Sequence, residues 1–243
     1  MVITVADDGD IPNPHYCNPL NPSTPQNPTA YVIIRECDVI FHSHTIRTVV
    51  TSSSSKLDSR IADTLAIPSQ FHSTIVGFDA EWNPNTTAAR NPIATIQLYA
   101  GEQCMIFQIL HAPLIPRSLI HFLINPYVTF VGVGIVDDVI KLREDYSLNV
   151  PGFIDVAEFA AEEFNEKGLK NAGIKTMSLR FLGLEFEKPK RVSRSRWDRV
   201  CLTPEQYSLM KDKQPRNWLT SLIAEVASLE FRASGIRIKE MKN

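Results

Sequence analysis

Residues 75–84 read Ile-Val-Gly-Phe-Asp-Ala-Glu-Trp-Asn-Pro. Ile75, Val76 and Phe78 are β-formers, and the run predicts a central strand whose far end carries Asp79 and Glu81. Successive side chains on a strand point to opposite faces, so the two acids project together, flanked by apolar neighbours. Adjacent carboxylates repel, and burial adds to the cost unless positive charge sits between them. A hard divalent cation, Mg²⁺ or Mn²⁺, prefers carboxylate oxygen and removes the conflict. The alternative is an exposed strand end with two solvated acids.

Upstream of this strand, residues 1–29 are rich in Pro, Asn and Asp and read as a disordered tail. Two β-rich stretches follow, Tyr31–Phe41 and Thr45–Thr51, with the pattern of a hairpin. The Ser52–Ser55 run then offers a cap for a helix over Lys56–Leu65. Downstream, Ala94–Tyr99 and Cys104–Leu110 predict two more strands, so the acidic strand opens an antiparallel meander. A helix over Arg117–Leu123, a buried strand over Val128–Ile135 and a helix from Asp137 to Tyr146 come next. A short strand at Gly152–Val156 leads to helices over Ala157–Phe164 and Ile174–Leu182, and residues 203–232 are helical in pattern. The order predicts an α/β fold, a mixed sheet of meander and then parallel strands flanked by helices. The expected domain spans residues 30–232, with 233–243 as a C-terminal tail.

The chain has 243 residues, 44% of them hydrophobic and 21% charged, as in ordinary globular proteins. A net charge of −2 supplies no general attraction to nucleic acid, so such binding would need a local basic patch. The four cysteines, Cys17, Cys37, Cys104 and Cys201, lack paired spacing and suggest neither a zinc site nor a disulfide framework. No apolar run approaches the roughly 20 residues of a membrane span, and no secretory signal is visible. A nuclear or cytoplasmic protein without a membrane partner is expected, and a homo-oligomer is left open.

Two cations sharing several carboxylates bind a phosphodiester, one activating water and the other stabilising the leaving oxygen. Asp79 and Glu81 need further acids for that. Asp137 and Asp138 directly follow an apolar strand and either complete such a site or favour the dipole at a helix start. Asp155 ends another apolar strand, where a helix cap is the expected role. Lys188, Lys190, Arg191, Arg194 and Arg196 put five cations within nine residues beside Trp197. That combination suits phosphate contact with stacking, or a solvated loop. No histidine follows His121, so a late catalytic group would be Tyr207, the only tyrosine after Tyr146, or Asp212, the only aspartate after Asp198.

Together these landmarks resemble the 3′–5′ exonuclease domain of the DEDD superfamily, and the Werner-like members above all. Val-Gly-Phe-Asp79-Ala-Glu81-Trp82-Asn-Pro is similar to the first exonuclease motif, and Phe130-Val-Gly-Val-Gly-Ile-Val-Asp-Asp138-Val-Ile-Lys-Leu to the second. Lys188 to Asp198 and Leu202-Thr-Pro-Glu-Gln206 resemble the approach to the third. The resemblance implies a ribonuclease-H-like fold and two Mg²⁺ or Mn²⁺ ions held by Asp79, Glu81 and Asp138. It further implies a nucleic acid with a 3′ end as partner, contacted by Trp82 and by the basic run with Trp197. It selects Asp138 over Asp137.

The third motif departs from the family. Its Tyr and Asp positions, three and seven after Gln206, hold Leu209 and Lys213. Tyr207 and Asp212 lie nearby but five apart, which on a regular helix separates them by roughly 140°. Two readings follow. One is an active exonuclease with Asp212 and Tyr207 standing in. The other is a catalytically weak or inactive exonuclease-fold protein that acts as a nucleic-acid-binding or interaction module.

Overall fold

The structure, a computed structural model, describes residues 34–41, 44–67, 74–83, 90–184 and 195–202. The expected tails and the helices of residues 203–232 lie outside the described residues. Strands β1 (Ile34–Phe41) and β2 (His44–Thr51) form the expected hairpin, with Phe41 opposite His44. Helix α1 (Ser54–Leu65) starts at Ser53, whose hydroxyl accepts the Lys56 N–H. Strands β3 (Thr74–Trp82), β4 (Ile93–Ala100) and β5 (Gln103–Phe107) are antiparallel neighbours, the meander read from the sequence.

After helix α2 (Arg117–Leu123), strand β6 (Val128–Gly132) runs parallel to β3, and helix α3 (Ile135–Tyr146) leads to β7 (Phe153–Asp155), parallel to β6. Helices α4 (Val156–Glu163) and α5 (Ile174–Leu182) follow. The seven strands lie in the order β1-β2-β5-β4-β3-β6-β7, with β2 parallel to β5. The fold is thus an α/β mixed sheet with flanking helices, and the acidic strand has a neighbour on either side. Among the described residues no helix is long and apolar enough to cross a membrane.

Each sheet face carries its own core. Ile46, Tyr99, Ile106 and Val131 pack with Val156 and Ala160 of α4 and with Ile174 and Met177 of α5. Trp197, wholly buried, joins this face. On the other face Phe78, Ile96 and Phe130 meet Leu57 of α1, Phe122 of α2 and Ile135 and Leu142 of α3. Phe130 stands edge-to-face against both Phe78 and Phe122, at 6.1 and 5.4 Å between centroids. Segment 195–202 is strapped to the sheet by the Gln108 amide, which donates to the carbonyls of Arg199 and Val200. Cys104 is a buried free thiol, whereas Cys201 is disulfide-bonded, a pairing that the cysteine spacing did not suggest.

β6 ends at Gly132, three residues before the expected boundary. The apolar run Val-Gly-Val-Gly-Ile does not reveal the turn, but Gly134 does, at φ +76° in the left-handed region. Gly132 matters by its size. A Cβ there would stand 2.7 Å from the Ile135 Cβ and 3.0 Å from the Phe78 carbonyl oxygen, so α3 leaves β6 hard against β3. Gly132→Ala is therefore expected to destabilise the fold by about 1–3 kcal/mol, the usual cost of overpacking. Denaturant unfolding measures this, and an unchanged midpoint would contradict the close approach.

Candidate active site

Asp79 and Glu81 are 6% and 9% exposed on an interior strand. Their register partners on β4 are Gln97 and Thr95, both wholly buried, and partners in a ladder share a face. The four polar side chains thus form a patch at the β3 end, on the sheet side of α4 and α5. The register shifts between Glu81 and Trp82, an irregularity of the kind that re-aims side chains beside sites. Thr95 and Gln97 are neutral and bring no compensating charge.

The second element is α3. At about 100° per residue, Ile135, Val139, Leu142 and Tyr146 line the face turned to the sheet. Asp138, Lys141 and Asp145 share the adjoining flank. Lys141 and Asp145 contact Trp82, Asn91 and Ile93, so that flank overhangs the β3–β4 end. Asp138, one turn earlier, is half-buried, whereas Asp137 is exposed to solvent. α3 packs on the face opposite Asp79 and Glu81.

Hard oxygen donors, two of them preset on one strand, fit a divalent cation of the Mg²⁺ or Mn²⁺ kind. Among the described residues no three His, Cys, Asp or Glu side chains are grouped closely enough to hold a metal ion.

Comparison with known proteins decides the family. Residues 51–212, more than half the chain, match a family model described as 3′–5′ exonuclease. The chain belongs to the 3′–5′ exonuclease family. It is 27% identical over 146 residues to a 3′–5′ exonuclease of Arabidopsis thaliana, covering 59% of this chain and 50% of that protein. It is 31% identical over 134 residues to the bifunctional 3′–5′ exonuclease/ATP-dependent helicase WRN of Mus musculus, covering 54% of this chain and 9% of that one. The chain therefore spans half or less of these relatives. Among solved structures, Escherichia coli RNase D, an exoribonuclease involved in structured RNA processing, superposes with a TM-score of 0.62 at 20% identity. That match covers 76% of this chain and 45% of RNase D, and it supports the ribonuclease-H-like fold.

Elsewhere in the exonuclease domain the expected nucleic-acid contacts divide. Trp197, expected to stack on a base, is instead wholly buried against the sheet. This corrects the expectation, because its ring faces are spent on core packing. Arg196 is exposed, but its guanidinium donates to both oxygens of Asp198, and the pair holds the Asp198 carboxyl below its usual range. Trp82 is half-buried, with the Lys141 ammonium 5.1 Å from its ring centroid, so one ring face is occupied. Lys188, Lys190, Arg191, Arg194, Tyr207, Leu209, Asp212 and Lys213 lie outside the described residues. Asp155 is a cap, as expected: Oδ1 accepts the Ala157 and Glu158 N–H groups, and Oδ2 accepts that of Gly134 at 2.8 Å.

One group escaped the sequence reading. The Lys141 Nζ and the Asp145 carboxylate pair at 3.0 Å with both side chains 8% exposed. Asp145 accepts the Ile93 N–H at 2.8 Å, and the Tyr146 hydroxyl donates to the Ile93 carbonyl at 2.6 Å. Removing one partner of a buried pair typically costs ~3–5 kcal/mol. The signal in the sequence was faint, an i,i+4 Lys–Asp spacing that reads equally as a solvated helix face.

Burial, and then the Asp145 charge, push the Tyr146 phenol up to about 12 from 10.0. A group whose folded value is raised contributes stability that is present below the unfolded value and lost as pH climbs through the folded one. Stability from Tyr146 should therefore hold to about pH 10 and fall between about 10 and 12. Tyr146→Phe should flatten that part of the unfolding-midpoint profile. Parallel alkaline profiles for the two proteins would contradict the burial of the phenol.

Proposed function

We propose that the chain is a Mg²⁺- or Mn²⁺-dependent 3′–5′ exonuclease that hydrolyses phosphodiester bonds of nucleic acid from the 3′ end. The observation that supports this is the pair of buried acids, Asp79 and Glu81, on one face of an interior strand. Carboxylate oxygens are the hard donors that Mg²⁺ and Mn²⁺ prefer, and such a cation also offsets the negative charge of a scissile phosphate. Asp79, Glu81 and Asp138 would hold the ions by a hard-oxygen set. Bound there, the ions would activate water and stabilise the leaving oxygen. The chain's own part is to fix the carboxylates, and the basic residues from Lys188 to Arg196 would grip the backbone of the nucleic acid. Asp212 and Tyr207 are the proposed stand-ins for the third motif.

A second reading rests on Leu209 and Lys213 at the third-motif positions. A lysine in place of a carboxylate repels a cation, which favours a weak or inactive exonuclease fold that still binds nucleic acid.

Oligonucleotides labelled at the 3′ or the 5′ end, incubated with Mg²⁺ or Mn²⁺, separate the two. A ladder shortened from the 3′ end, reduced at least ~10²-fold by Asp79→Ala, is the expected result. Asp212→Ala should suppress it too if Asp212 is the stand-in. Binding without shortening would contradict the catalytic reading and leave the binding module.

A further inference from the structure

We propose that Cys201 and Cys37 form a reversible disulfide latch, opened by exchange with a small-molecule thiol, that ties the chain leading into the third motif to the edge strand of the sheet. The latch stands independently of the metal reading. Four cysteines are available, Cys17, Cys37, Cys104 and Cys201. Cys104 is a buried thiol outside any disulfide, and Cys201 is disulfide-bonded. Within the chain its partner is therefore Cys17 or Cys37, and the strand register favours Cys37. Residue 37 stands opposite Thr48 in the β1–β2 ladder, where paired positions share a face. Thr48 is buried and alternates along β2 with Ile46 and Val50, both part of the core that takes in Trp197 and Leu202. Position 37 thus lies at the rim of the face that segment 195–202 covers, and Cys201 precedes Leu202 in that segment.

The hydrogen bonds that hold the segment run elsewhere, to the chain just after β5. The Gln108 amide donates to the carbonyls of Arg199 and Val200 at 3.3 and 3.0 Å, and the His111 Nε2 lies 2.9 Å from the Asp198 carbonyl oxygen. A disulfide to β1 adds a second anchorage, at the last step before Leu202-Thr-Pro-Glu-Gln206 and the third-motif positions 209 and 213. The bond is within reach of solvent: Cys201 is half-buried beside an exposed Val200, and β1 is the outermost strand. Accessible disulfides are the labile and regulatory ones. In the exchange, one external thiolate attacks a protein sulfur, breaks the S–S bond and forms a mixed disulfide. A second external thiolate attacks the external sulfur of that mixed disulfide and releases the protein thiolate. The protein disulfide gains two electrons and two protons, and the two external thiols lose them and leave as their own disulfide. Reduction removes the anchor at 201 while Trp197 and Gln108 still hold the segment, which then opens locally more often.

Peptide mapping of the oxidised full chain without reductant should recover a pair joined through Cys37 and Cys201. A Cys17–Cys201 pair, a disulfide-linked dimer on a non-reducing gel, or Cys201 recovered as a thiol would overturn the assignment. Trypsin added to the native protein in mixtures of reduced and oxidised glutathione then reads the latch. Cleavage after the exposed Arg199 should quicken as the bond is reduced and slow again on reoxidation. Cys37→Ser and Cys201→Ser should each be cut at the faster rate whatever the glutathione ratio, and Cys17→Ser should respond as wild type. If either serine variant does not fold, reduced wild type carries the same measurement. Cleavage at one rate whether the bond is open or closed would overturn the latch, as would a bond that resists reduced glutathione until the protein unfolds.

Discussion

Two like charges on one face of a buried strand are the constraint around which this domain is arranged. Asp79 and Glu81 stand side by side on an interior strand, beside the buried Gln97 and Thr95 of β4. Neighbours on β4 supply a hydroxyl and an amide but no cation. Carboxylate oxygens held together in this way are the donor type that a hard divalent cation prefers. Their location follows from strand polarity: β3 and β6 run parallel, so the ends of both strands and the start of α3 meet at one edge. That edge is where sheets of this class build sites.

Helix α3, which carries Asp138 in its first turn, is pinned at both ends. At the start, Gly132 and Gly134 let the chain turn within contact of β3, and Asp155 holds the Gly134 N–H while capping α4. Further along, Lys141, Asp145 and Tyr146 grip Asn91, just ahead of β4, and Ile93, the first residue of β4. The apolar stripe of α3 attaches the helix, and the polar flank sets its position.

The meander, the hairpin and the helices over 117–123 and 174–182 were legible because their patterns are local: β-branched runs, turn residues and apolar spacing. The end of β6 was not, since an apolar run continues past Gly132 and only the left-handed Gly134 marks the turn. Trp197 looked like a stacking surface from its cationic neighbours, but burial is a tertiary property, set here by the sheet it meets and by Gln108, 91 residues from Arg199. The clamp on α3 was hidden for the same reason: Lys141 meets Asn91 across 50 residues of sequence. The burial of Asp79 and Glu81 on one strand was legible because the two acids stand two apart in an apolar run.

The central claim is that Asp79, Glu81 and Asp138 converge on a cation at the β3 edge. Anomalous scattering from crystals soaked in Mn²⁺ measures this directly. The account predicts a peak bounded by the carboxylates of Asp79 and Glu81 on one side and by Asp138 on the other. A peak elsewhere, or an Asp138 carboxylate turned away from an ion held by the other two, would contradict it.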